Sequence, residues 1–355
     1  MVHYPFIKIN LRTPPGAYRF SEYSQTIQMV QLDRKLSVAP MMGCTDRHCR
    51  YLLRLLSPQS LLYSEMLTSG ALIYGDAERI LAHTGDAPAA LQLGGSDPED
   101  LATCAAMIEQ AGYQEVNLNC GCPSDRVQQG GIGACLMAEP ELVADCYRAM
   151  AERVSLPVTI KSRIGIDDQD SYEFFHRFIA IIYEAGCRIF IVHARKAVLS
   201  GLSPKENREV PPLKYDYVTR IKHDFPDAIF VLNGGITGVD QAVTLSASCD
   251  GVMLGRAPYS NPYLLAELDA ALFGNHPASR EDAMTGYLAY MQQEIEHGTH
   301  IKHMAKHLLG LYTGMPGARA FRRHLSTHMY QEKAGLEVVI DALACVRESL
   351  QETGT

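Results

Sequence analysis

Residues 117–137 read NLNCGCPSDRVQQGGIGACLM, and two thiols, Cys120 and Cys122, flank Gly121 where an apolar run gives way to a Gly-Cys-Pro turn. A thiol with an ordinary pKa of ~8.5 is mostly protonated at neutral pH, so a cysteine held on such a loop can act as a general acid rather than a nucleophile. Cys122, fixed between Gly121 and Pro123, is the one expected to project over a bound ring; Cys120, like Cys135, Cys146 and Cys187, reads as a small packing residue. A second set of chemistry-bearing residues comprises Lys161, His193, the NGGIT turn at 233–237 and Gly255-Arg256. Gly234, Gly235 and Gly255 allow close backbone approach, Arg256 offers a bidentate charge, and Lys161 and His193 add a cation and an imidazole. This donor set suits an anionic cofactor with one phosphate and a large polar ring system.

Other motifs fail on inspection. GGIGACL at 130–136 has leucine where a dinucleotide fingerprint needs its third glycine, and there is no Walker loop. HMAKH at 303–307 has Met304 where a zinc protease needs glutamate, so no metal is expected, and His303 and His307 read as surface donors.

The elements that must position these groups are eight short apolar runs: 36–40, 61–65, 89–93, 115–119, 157–162, 188–193, 228–233 and 250–254. Segments of helical spacing separate them, such as 97–112 and 170–186. This alternation predicts an α/β fold, a (β/α)8 TIM barrel, whose C-terminal strand ends converge on one face. Met41, Glu65, Gln92, Asn119, Lys161, His193, Asn233 and Gly255 therefore face a common mouth. Residues 1–35 show no periodicity and are expected to be an extension; 36–270 form the barrel; 271–350, with a helix start at Ser279, form a small all-helical domain.

The chain has 355 residues, 47% of them hydrophobic, enough for a barrel and a smaller domain. No apolar run reaches the roughly 18 residues of a membrane span. Lys8, Arg12 and the Pro14-Pro15-Gly16 turn interrupt any secretory signal, so a cytoplasmic location is expected and the ten cysteines read as reduced thiols. A net charge of −8 argues against a nucleic-acid partner, yet His300–Tyr330 contains no acidic residue. There Lys302, Lys306, Arg319, Arg322 and Arg323 interleave with five histidines, a stripe that either holds phosphates or is a solvated helix face.

With these motifs in view, the chain resembles the tRNA-dihydrouridine synthases, specifically the A-type subfamily. The resemblance rests on APMM (39–42) followed by TDRHCRYLLRLLS (45–57), LQLGGSDPEDLA (91–102), GCPSDRVQ (121–128), GACLMAEPELVADC (133–146), KSRIGIDDQDSYEF (161–174), HARKAVLSGLSPKENREVPPL (193–213), NGGI (233–236), DGVMLGRAPYSNP (250–262) and GMPGARAFRRHL (314–325). It implies FMN over the barrel mouth, NADPH as reductant, and hydride transfer to carbon 6 of a uridine extruded from the tRNA D-loop near position 20. It assigns proton donation at carbon 5 to Cys122. FMN would be held by Pro40, Met41, Met42, Gln92, Lys161, His193, Asn233, Gly234, Gly235, Gly255 and Arg256. tRNA would be held by Asn119, Lys205, Arg208, Arg319, Arg322 and Arg323. The chain departs from the family at Gly43 and Cys44, where an acidic-aromatic pair is usual, and at Cys120, ordinarily a small aliphatic residue, which would place two thiols beside the substrate. A flavin-dependent reductase of free pyrimidines and a catalytically lapsed tRNA-binding protein are the alternatives.

Overall fold

The computed structural model describes residues 32–353, so the expected extension up to residue 31 lies outside the described residues. The strands are β1 (Leu36–Val38), β2 (Leu61–Thr68), β3 (Ala89–Gly94), β4 (Glu115–Cys120), β5 (Val158–Arg163), β6 (Ile189–His193), β7 (Ile229–Asn233) and β8 (Gly251–Leu254). They pair in sequence order, all parallel, and β8 closes on β1. Each apolar run became a strand, and the segments between supply the helical layer. The helix Pro98–Gln110 starts at Asp97, whose side chain accepts from the Asp100 amide, and Tyr172–Glu184 starts at Ser171, which accepts from the Phe174 amide. These caps satisfy amide donors that the first helical turn leaves unpaired.

Three boundaries differ from the sequence expectation. Strand β2 runs past Glu65 to Thr68, with its register shifting between Tyr63 and Met66, so Glu65 sits at an irregularity rather than a strand end. The barrel takes hold before residue 36: the Val252 amide donates to the Lys35 carbonyl, and Arg34 is buried in an ion pair with Glu115. Its last helix, Tyr263–Phe273, continues past residue 270 and stops at Gly274 in the left-handed conformation. The following helix, Arg280–Glu296, is capped by Ser279 as expected.

Residues from Asp33 onward pack as one unit containing two apolar cores. One lies between the barrel and its helices. The other joins Arg280–Glu296, Ala318–His328 and Glu337–Thr353 through Tyr287, Met291, Phe321, Leu325 and Val339. Helix Arg47–Leu56 serves both: Cys49 and Leu53 enter the barrel core, Leu52 and Leu56 the other. Fully burying a leucine is worth roughly 1.5–3 kcal/mol, so this helix ties the C-terminal helices firmly to the barrel.

Candidate active site

Parallel register arranges the polar strand ends as an arc. Asn119 pairs with Lys161, Arg163 with His193, His193 with Asn233, and Asn233 with Met253. Lys161 Nζ donates to Asn233 Oδ1 at 3.1 Å, and Asn233 Nδ2 donates to the Met253 carbonyl at 2.8 Å. Burial, reinforced by the Arg163 charge, pushes the Lys161 ammonium down to about 7. Burial also carries His193 well below its ordinary value, helped by Arg163, Lys161, Arg195 and Arg208, so its imidazole is neutral at pH 7. The mouth thus gathers cations that oppose one another, and a bound anion would relieve that cost.

The Cys122 loop is fastened above this arc. Asn119 Oδ1 accepts from the Gly121 and Cys122 amides at 3.0 and 2.9 Å. Arg163, only 3% exposed, donates through Nε to the Gly121 carbonyl at 3.0 Å and through Nη1 to the Lys196 and Asn207 carbonyls. Ala134 N donates to the Cys122 carbonyl at 2.9 Å, and Gly133, at φ +82°, admits that contact: a Cβ there would lie 2.5 Å from the oxygen. The half-buried Cys122 thiol donates to Ser124 Oγ at 3.6 Å. Cys120 is different. It is fully buried in the apolar layer with Val116 and Leu118, and burial pushes its thiol up, so two thiols do not flank the mouth. Alternation explains this: Glu115, Asn117 and Asn119 point inward, and Cys120 outward.

Arg163 escaped the sequence reading, although it lies two residues beyond Lys161 and so on the same strand face. On the far side of the mouth, Gly234 adopts φ +119°, and a Cβ there would strike His193 Cδ2 at 2.6 Å. Its carbonyl accepts from the Tyr215 hydroxyl at 2.7 Å. Met41 lies against Gly255, Pro40 is half-buried, and Met42 is exposed. Arg256 is exposed and donates to Glu209 Oε1 at 2.8 Å. Arg195 and Arg208 each keep a buried Nε atom without a hydrogen-bond partner among the described residues. The Arg208 charge is one of those that lower the His193 pKa, whereas Lys205 is exposed. At the unusual Gly43-Cys44 pair, the Gly43 amide donates to Glu65, and Cys44 shares a hydrogen bond with the Tyr259 hydroxyl.

The basic stripe divides. Arg319, Arg322 and Arg323 are exposed on the helix Ala318–His328, with Arg322 also donating to the Leu309 carbonyl at 3.1 Å. His307 is not a surface donor: it is 2% exposed, with Nε2 2.9 Å from Asp46 Oδ1, while Lys306 Nζ is 2.9 Å from Asp46 Oδ2. Burial alone would raise the Asp46 carboxyl, but His307 and Lys306 outweigh it and hold the group well below the usual range.

A closed parallel barrel with a thiol loop and a cationic arc at its C-terminal strand ends is the architecture of a TIM-barrel enzyme. The family model described as dihydrouridine synthase matches residues 37–347. A Vibrio cholerae protein named tRNA-dihydrouridine(20/20a) synthase is 54% identical over 313 residues, covering 87% of this chain and 96% of its own. Proteins of the same name from Pseudomonas putida (55%; 87% of this chain, 93% of theirs) and Escherichia coli K12 (50%; 88% and 92%) are similarly close. The chain belongs to the dihydrouridine synthase family and is an oxidoreductase. Among the described residues, no helix is long and apolar enough to cross a membrane.

Proposed function

We propose that this protein reduces uridines at positions 20 and 20a of the tRNA D-loop to 5,6-dihydrouridine, with FMN as resident cofactor, NADPH as reductant and Cys122 as the acid. The observation that carries the reading is the fastening of the Cys122 loop, by Asn119 and Arg163, directly over a cationic barrel mouth. The names and coverage of the relatives support the substrate. A tRNA substrate also supports a cytosolic location.

The mouth suits FMN on chemical grounds. Among the described residues no group partners the buried Nε atoms of Arg195 and Arg208, Lys161 and His193 bear lowered pKa values, and the Gly234-Gly235 turn leaves room that a side chain would fill. Arg256, Gly255 and the Asn233-Gly234-Gly235 turn would hold the phosphate end, with Lys161, His193 and Gln92 at the ring and Pro40, Met41 and Met42 as its wall. When bound and reduced by NADPH, FMN supplies the hydride for uracil carbon 6. Cys122 would donate its thiol proton to carbon 5, and the Lys161 ammonium would offset negative charge on the reduced ring, a preorganised electrostatic contribution. The uridine must leave its stack to reach the mouth. Asn119, Lys205 and Arg208 would guide it, while Arg319, Arg322 and Arg323 hold backbone phosphates.

Purified protein should be yellow, and dihydrouridine at positions 20 and 20a should vanish from the tRNA of cells lacking it. A colourless protein that still binds tRNA would support the lapsed reading. Turnover of free uracil without tRNA would support the free-pyrimidine reading.

A further inference from the structure

We infer that Glu115, Thr159 and Asn117 are positioning residues for Cys122, acting through a buried hydrogen-bond relay that fixes which way the Asn119 amide faces. The inference rests on the reading of Cys122 as the acid. Barrel interiors are ordinarily filled by branched apolar side chains. Here β6, β7 and β8 follow that rule with Ile191, Val231 and Met253, whereas β3, β4 and β5 place Gln92, Glu115, Asn117, Asn119 and Thr159 inside, none more than 8% exposed. Burying so many polar groups is costly unless every one is satisfied.

They are satisfied in one direction. At the floor, Glu115 is paired with Arg34 and accepts from the Tyr63 hydroxyl. Thr159 Oγ1 donates to Glu115 Oε1 at 2.7 Å. Asn117 Nδ2 donates to Thr159 Oγ1 at 2.8 Å, Gln92 Nε2 to Asn117 Oδ1 at 2.7 Å, and Asn119 Nδ2 to Gln92 Oε1 at 2.8 Å. At the top, Asn119 Oδ1 is left to accept from the Gly121 and Cys122 amides.

Both ends of this relay are chemically forced. An ion-paired carboxylate only accepts, and a backbone N–H only donates. Each of the three side-chain amides between them could face either way in isolation. With the ends fixed, a single set of orientations satisfies every partner. Flipping Asn119 would turn its amino group toward two backbone donors and release the turn that carries Cys122. A carboxylate at the barrel floor thereby sets the pose of a thiol at its mouth.

Thr159→Val keeps shape but removes both the donor to Glu115 and the acceptor for Asn117, and Thr159→Ser restores the hydroxyl. With holoenzyme and tRNA substrate, Thr159→Val should lower kcat for tRNA reduction about tenfold, roughly the effect of one buried hydrogen bond, with KM for tRNA, flavin content and the rate of flavin reduction by NADPH unchanged. It should also change the rate at which iodoacetamide alkylates Cys122, followed on its peptide by mass spectrometry, and Thr159→Ser should restore both. Should Thr159→Val fail to fold, isosteric Asn117→Asp provides the test. Its carboxyl can donate to Thr159 only while protonated, so kcat should fall with rising pH in a step the parent lacks. Unchanged kcat and alkylation in Thr159→Val, no recovery in Thr159→Ser, or a parent-like pH profile in Asn117→Asp would each overturn the relay. A fully active Cys122→Ala would overturn the acid reading alone, because the alkylation readout of the parent and Thr159 variants does not depend on it.

Discussion

The barrel mouth and the helix Ala318–His328 both present clustered cations, yet their surroundings make them different instruments. Lys161 and Arg163 are held among strand ends beside the neutral His193, pushed down to about 7 and about 10 chiefly by burial. Arg319, Arg322 and Arg323 stand in water, where their charges stay hydrated and screened by salt. Desolvated charge in fixed geometry favours one anion of one shape and influences chemistry beneath it. Hydrated charge on flexible stems gives affinity for any phosphate backbone. Residue type alone does not separate these roles; burial does.

The sharpest way to test the contrast is at the mouth. Cys122→Ala should retain flavin and accept hydride from NADPH while tRNA turnover falls by about 10²–10⁴-fold, the range for a lost general acid; the check is single-turnover oxidation of reduced enzyme by tRNA. Full activity there, with Cys120→Ala inactive, would transfer the role to a thiol that the structure buries. Arg256→Ala should weaken FMN by about tenfold or more, the scale of one charge-assisted contact, read from the flavin absorbance of protein titrated with FMN. Stoichiometric flavin after purification would make the Glu209 pair its only task.

On the outer surface, replacing Arg319, Arg322 and Arg323 together by Ala should weaken tRNA binding across sequences and flatten its salt dependence by about one unit of slope per lost phosphate contact, with flavin content normal. Unchanged affinity at low and moderate salt would make that face merely solvated. A further test concerns pH. Lys161 has a folded pKa of about 7 against an ordinary 10.5, so between these values the unfolded chain binds more protons. Stability of flavin-free protein should therefore rise with pH across this window, an increment absent below pH 7 and complete above 10.5. Lys161→Met should remove that increment in thermal melts, and a parallel pH dependence in both proteins would refute it.

The barrel was legible because period and punctuation agree: most of the eight apolar runs end in a polar, charged or glycine-bearing position, and caps such as Asp97, Ser171 and Ser279 mark helix starts. Lys161, His193, Asn233 and Asn119 followed because strand ends converge. What escaped depended on contacts distant in sequence. Arg163 matters for its reach to the Gly121 and Asn207 carbonyls, and nothing local announces that. His307 looked like surface because its neighbours are basic, whereas its partner Asp46 lies in the loop after β1. The packing role of Cys120 was legible from the Gly121-Pro123 turn, but the expectation that both thiols would flank the mouth failed because Cys120 is still the last residue of β4 and faces the apolar layer, whereas Cys122 lies in the loop beyond it.

The helix Arg47–Leu56 has a consequence for synthesis. It leaves the ribosome among the first elements, but Leu52 and Leu56 share an apolar core with Tyr287 and Leu308 from segments made much later. Until those emerge, a barrel already closed would carry an uncovered apolar stripe along one of its own helices. Chains cut short after Phe273 should therefore be sticky rather than merely inactive, because the last-made helices are the seal over that stripe.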